Sequence, residues 1–113
     1  MEAGLAKWKP HYDLKKSKSL IDSDKYIVLK SAKTTAFKLN FNEQRIKDAL
    51  LNIRPSDFSK SEEDWQIKGH WQDAYKTSYD GHRLYVKWKI TENKEEHLLV
   101  LSFKEDKEER YEF

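Results

Sequence analysis

The stretch HWQDAYKTSYDGHRLYVKWKI, residues 70–90, decides the fold. Apolar and polar residues alternate on both sides of Asp80-Gly81, a dipeptide that favours a tight hairpin turn. On the second arm Leu84, Val86, Trp88 and Ile90 share one side, leaving Arg83, Tyr85, Lys87 and Lys89 on the other. Two pairings suit this turn, one matching Tyr79 with His82 and the other matching Thr77 with His82. They differ by two residues, so side-chain parity is the same in both. Gln72, Ala74 and Lys76 therefore share the polar face with Arg83, Tyr85, Lys87 and Lys89, while Trp71 and Tyr75 join the apolar side as core. In the second pairing Gln72 lies opposite Lys87 and diagonal to Tyr85.

Working outward, HLLVLSFK (97–104) reads as a third strand, apolar on both faces at its start and so an interior strand covered on both sides. Its Ser102 and Lys104 join the polar face. Upstream, PSDFSKSEED (55–64) reads as a connecting loop from which Lys60 folds over the rim of that face, and Trp65–Ile67 can begin a strand. The segment FNEQRIKDALLNI (41–53) predicts a helix, with Asn42 as cap and an apolar stripe of Ile46, Ala49, Leu50 and Ile53, ended by Pro55. KYIVLK (25–30) is strand-like. SAKTTAFKL (31–39) is ambiguous between a short helix capped by Ser31 and a continued strand. A further helix is predicted after Pro10, carrying Leu14, Leu20 and Ile21. The pattern predicts an α+β domain over residues 10–105, with N-terminal helices packed on a C-terminal antiparallel β-sheet. Residues 1–9 read as a flexible arm and 106–113 as a charged tail.

Composition narrows the function classes. The chain has 113 residues with 37% hydrophobic, 37% charged and 13% aromatic side chains. Four Trp argue for a packed core despite a mean hydropathy of -1.00. With 22 Lys and Arg against 20 Asp and Glu, the net charge of +2 predicts no nucleic-acid partner by itself. What matters is where the cations lie. No cysteine is present, which excludes disulfides and thiolate metal sites and makes a reducing cytoplasm the default expectation. No apolar run approaches the roughly 20 residues of a membrane helix, and no secretory leader is read at the N-terminus.

Most site chemistries find no support. His11, His70, His82 and His97 are scattered without ligand spacing, so no metal or other cofactor is expected. Three glycines far apart make no phosphate loop. The polar hairpin face remains. Solvent faces of antiparallel strands are routinely polar, and lysines there block edge-to-edge pairing. Cations and amide donors also suit phosphate oxygens, and an exposed aromatic can stack on a base or move a proton. Pattern alone leaves both readings open.

The segments PH..L....L (10–20), SDFSKS (56–61), WQDAY (71–75), YVK (85–87) and LLVLSFKE (98–105) resemble, in the same order, the motility quorum-sensing regulator (MqsR) toxins of bacterial type II toxin–antitoxin pairs. The resemblance implies a fold like the RelE and YoeB toxins and a ribosome-independent mRNA interferase that cuts RNA at GC-containing sites. It places the family's functional residues on Lys60, Gln72, Tyr85 and Lys104, and the pattern of the polar face adds Lys76, Arg83, Lys87 and Lys89 as expected RNA-binding cations. It implies an mRNA substrate and a cognate antitoxin encoded nearby, often DNA-binding. His70 and Lys76, a longer leader and the tail depart from the family pattern and bear on sequence preference and antitoxin fit. In a metal-free RNase the 2′-OH attacks the neighbouring phosphate. Lys60 and Lys104 then stabilise charge, and Gln72 positions the phosphate or reads a base edge. Tyr85 is assigned to proton transfer or base stacking, with nearby lysines expected to favour its phenolate. The rival reading is a non-catalytic RNA- or protein-binding module using the same face.

Overall fold

The computed structural model describes residues 6–92 and 95–107. Strand β1 (Ala6–Lys7) is followed by helix α1 (Leu14–Asp22), β2 (Tyr26–Val28), α2 (Lys30–Lys38) and α3 (Glu43–Leu51). A 3-10 turn (Pro55–Asp57) then leads into β3 (Phe58–Glu63), β4 (Trp71–Tyr79), β5 (His82–Glu92) and β6 (Glu96–Glu105). The arm predicted over 1–9 falls outside the described residues apart from 6–9, where Ala6 and Lys7 pair with β3. The charged tail is described only at 106–107.

The helices form where local chemistry asks for them. Asp13 opens α1 by accepting the Lys16 amide at 2.9 Å, three residues after the predicted start at Pro10. Asn42 opens α3 in the same way, accepting the Arg45 amide at 2.9 Å. Residues 31–39 resolve as helix, but the cap position is Leu29 rather than Ser31. Ala32 and Ala36 are buried one turn apart, and their small side chains let α2 lie close to the sheet. Helix α3 ends at Leu51, ahead of Pro55, which instead opens the 3-10 turn.

The sheet runs in the order β1-β3-β4-β5-β6-β2. It is mixed, not antiparallel as predicted: β2 pairs with β6 in parallel, Tyr26 with Leu98 and Val28 with Val100. Parallel pairing follows because α1 carries the chain across the core face before it returns to the edge of β6. The predicted loop over 55–64 is also corrected. Phe58–Glu63 is strand β3, held by Trp71–Tyr75 of β4, and residues 64–70 form the connection where Trp65–Ile67 was expected to begin a strand. In the hairpin the shorter turn wins. Tyr79 pairs with His82, and Asp80 and Gly81 adopt φ of 52° and 82°, both in the left-handed region that a two-residue turn demands.

Parity along the sheet is broken twice. Between the pairs Phe58–Tyr75 and Lys60–Ala74, Ser59 is an extra residue in β3. Between Lys87–Ser102 and Trp88–Val100, Leu101 is an extra residue in β6. Each is a β-bulge, which switches the faces of all residues beyond it. The Leu101 bulge explains why HLLVLSFK reads as apolar on both faces. Leu98, Val100 and Phe103 all reach the core, although simple alternation would send Phe103 to the opposite side. Trp88, Tyr75, Phe41 and Phe103 are the largest fully buried side chains, with Tyr75 and Trp88 ring centroids 5.1 Å apart.

One buried charge ties the N-terminal segment to this sheet. Asp73 is 0% exposed, and its two carboxylate oxygens accept the amides of His11 at 3.1 Å and Tyr12 at 2.9 Å. The Tyr12 hydroxyl donates to the Trp71 carbonyl at 2.9 Å. Losing two charge-assisted bonds and stranding two amides should make Asp73→Ala less stable by about 2–4 kcal/mol. Urea unfolding measures it, and a change within about 0.5 kcal/mol would refute the role of this contact.

Candidate functional site

The outer face is built in rows across the strands. In one row Lys76, Tyr85 and Lys104 stand side by side from β4, β5 and β6. In the next row Lys60, Ala74, Lys87 and Ser102 follow from β3 to β6. Cross-strand neighbours of this kind have Cβ atoms about 5 Å apart. Lys104 Nζ lies 5.4 Å from the Tyr85 ring centroid. Ala74 is only 1% exposed although it faces outward, being flanked by two lysines whose methylene stems can lie over it. Its small side chain leaves room for Lys60 to lean towards Tyr85.

Lys60 reaches this face because of the Ser59 bulge. Phe58 faces the core opposite Tyr75, so uninterrupted alternation would point Lys60 inward too. It was predicted to fold over the rim from a loop; it sits instead within β3. Its ammonium pairs with Glu62 at 3.2 Å, with both side chains nearly half exposed. A phosphate arriving at Lys60 therefore competes with a carboxylate already there.

The remaining candidates spread outward from this centre. Arg83 pairs with Ser78 two residues from Tyr85, towards the hairpin turn. Lys89 pairs with Leu99 and lines a separate cavity with His11, Tyr12 and His70. Gln72 is opposite Glu62 on β3. The observed register sets Gln72 level with Lys89, not Lys87, because Asp73 pairs with Trp88. Gln72 and Tyr85 are thus separated by four residues along the strands, about 14 Å between backbones, and are not diagonal neighbours.

A cavity of about 790 Å³ opens over Tyr85, Lys87, Ser102 and Lys104, and its far wall is Thr35 and Lys38 of α2 with Leu39 just after it. Strand β2 stops at Val28 opposite Val100, so no strand flanks the second half of β6, and α2 packs against β6 instead. Sequence reading missed this wall. The only local signal was Lys38 in an ambiguous segment, and its position beside Tyr85 depends on where β2 ends. Asp106, beyond β6, also lines the cavity and donates its amide to the Arg83 carbonyl at 2.8 Å.

The electrostatics correct one expectation. The Tyr85 phenol is pushed above its usual value of 10.0, chiefly by burial, with Lys60 opposing and Glu62 and Asp106 adding to the rise. Desolvation outweighs the pull of Lys60, so the phenolate is disfavoured at this position rather than favoured. Among the described residues no group of three His, Cys, Asp or Glu is gathered in metal-holding geometry. No helix among them is long and apolar enough to cross a membrane.

Taken together, the fold and this face define a small α+β domain with a basic, tyrosine-bearing open sheet surface. Residues 9–105 match the family described as motility quorum-sensing regulator, toxin of MqsA, and the chain belongs to that family. It is thereby a toxin of a toxin–antitoxin system with an antitoxin partner. No curated protein matches the chain.

Burial also raises the phenols of Tyr26 and Tyr75; Tyr75 is fully buried, and its hydroxyl is without a hydrogen-bond partner among the described residues. A phenol raised in the folded state favours folding below its unfolded pKa of about 10, and that contribution is lost as pH rises through the folded value. Wild type should therefore lose stability above pH 10 more steeply than Tyr85→Phe or Tyr75→Phe, as read by unfolding titrations and tyrosinate absorbance. Identical alkaline profiles would contradict the burial of both phenols.

Proposed function

We propose that this toxin is an mRNA interferase: a ribosome- and metal-independent endoribonuclease of the RelE/YoeB-like kind that cuts single-stranded RNA at GC-containing sites until its antitoxin silences it. The observation that supports this best is the convergence of Tyr85 with Lys60, Lys76 and Lys104, drawn from four strands, on one open face of a family toxin. Cations at that spacing suit a phosphodiester and the extra negative charge of its phosphorane. The antitoxin, encoded nearby and carrying a DNA-binding domain, completes the pair.

In this reading the RNA 2′-oxygen bonds to phosphorus and its proton passes to solvent. The P–O5′ bond breaks, and the leaving 5′-oxygen takes the proton of the neutral Tyr85 phenol, which solvent then restores. The products are a 2′,3′-cyclic phosphate and a free 5′-hydroxyl. Lys60 and Lys104 stabilise the phosphorane, while Lys76, Arg83, Lys87 and Lys89 hold flanking phosphates. Gln72, set apart along β4, reads the base edge of a different nucleotide.

Cleavage of a GC-containing RNA in EDTA tests the proposal. Wild type should cut and leave cyclic phosphate ends, with Tyr85→Phe and Lys60→Ala each slower by about 100-fold or more. Loss of activity in EDTA, or full activity in both variants, would overturn it. RNA bound but left intact would favour a binding module instead.

Two finer outcomes follow from the rows. Tyr85→Phe and Lys104→Ala should be strongly non-additive in kcat, whereas Tyr85→Phe and Gln72→Ala should be additive. Glu62→Gln frees Lys60 and should tighten RNA binding by about two- to five-fold, the value of an exposed ion pair. Weaker binding by that variant would count against competition at Lys60.

A further inference from the structure

An indole stands exposed at the β1 edge of the same face. Trp8 is 86% exposed, the most exposed of the large apolar side chains among the described residues. It follows β1 directly, at a bend just past the pairings Ala6–Glu62 and Lys7–Ser61 on the strand that edges β3. Lys7 turns to the core side, where its ammonium lies 4.2 Å from the Trp71 ring centroid and 2.8 Å from His11 Nδ1. Continuing the alternation from Lys7 would turn Trp8 to the opposite side, the face that bears Lys60, one strand beyond the row Lys60–Ala74–Lys87–Ser102.

From this placement we infer that Trp8 is a stacking platform for an unpaired nucleobase of the RNA substrate, one that flanks the nucleotides held at Tyr85. The inference rests on the endoribonuclease reading above. Single-stranded nucleic acid is typically held by aromatic rings that stack on bases beside cations that track the backbone. Lys9 follows Trp8 in sequence, and Lys60 adjoins Ser61, the β3 partner of Lys7 across the sheet edge. Three inter-strand steps, about 14 Å, separate the backbone at Trp8 from that at Lys87, so its base lies beyond the cleaved bond. Every base has a π-face, so this contact adds affinity and a length requirement without choosing a sequence.

A comparison within the molecule favours Trp8 over the other exposed indole. Trp65 is 70% exposed, but it follows Glu62, Glu63 and Asp64. Asp64 Oδ1 accepts the amides of Gln66 and Ile67 and shapes a turn that presents Trp65 amid carboxylates. An approaching phosphate backbone is repelled there. Trp8 also lies one residue before the stretch that matches the toxin family.

The test uses the full chain and single-stranded RNAs around one cleavage site, extended by one nucleotide at a time on either side. Wild type should gain affinity when a nucleotide reaches Trp8, seen as a lower KM with unchanged kcat. Trp8→Ala should lose that gain, about 5- to 100-fold in KM, cut the shortest substrate like wild type, and be indifferent to an abasic nucleotide at the responsive position. Trp8→Phe should recover part of the gain, and Trp65→Ala should leave every value unchanged. A wild type that cuts RNA with no length response, or a Trp8→Ala that matches it on every length, would overturn the platform and leave the endoribonuclease reading standing. A wild type that cuts no RNA would overturn both.

Discussion

Side-chain parity in the β4–β5 hairpin is the constraint on which the rest of this structure depends. Its period of two sends Trp71, Asp73, Tyr75, Leu84, Val86 and Trp88 inward, and with them the whole core, while Gln72, Lys76, Tyr85 and Lys87 face out. Neither neighbouring strand could add to both faces by alternation alone. In β3 the extra residue Ser59 turns Lys60 outward while Phe58 stays in the core. In β6 the extra residue Leu101 lets Leu98, Val100 and Phe103 all pack inward while Lys104 still lands beside Tyr85. Two one-residue irregularities thus reconcile a continuous core with a continuous polar face.

Burial and charge then divide the labour on that face. Tyr85 is half-buried at the mouth of the cavity that α2 walls, and desolvation raises its phenol despite Lys60. Lys60 stays partly exposed in its pair with Glu62, a contact of small energetic value. A net charge of +2 conceals this arrangement. The carboxylates lie mostly in helices, turns and the 62–64 run, leaving the central strands to the cations.

Asp73 links this surface to the N-terminal segment. It neighbours Gln72 in β4 but points to the other side, where it holds the amides of His11 and Tyr12. The segment around His11 and Tyr12 is therefore fixed to β4, a few residues after β1 pairs with Ser61 and Glu62 of β3. A buried carboxylate satisfied by backbone amides thus anchors the N-terminal segment to the sheet.

The sequence by itself determined the hairpin, its two faces, the helix capped by Asn42, and the grouping of Gln72, Lys76, Tyr85, Lys87 and Lys104. All of these depend on short-range alternation or on caps that act within four residues. The segments shared with the toxin family supplied the toxin class, while Lys60 was already read at the rim of the face, though from a loop rather than a strand. What only the tertiary structure decided was non-local. A bulge is one residue without a pattern of its own, so Ser59 and Leu101 are visible only against their partner strands, and β3 was read as a loop. The choice between hairpin registers, which moved Gln72 away from Tyr85, depended on the turn conformation at Asp80 and Gly81. The parallel β2 edge and the α2 wall depended on packing between segments some 70 residues apart, such as Val28 against Val100. The upward shift of the Tyr85 phenol was set by burial, which no run of neighbouring lysines in the sequence could reveal.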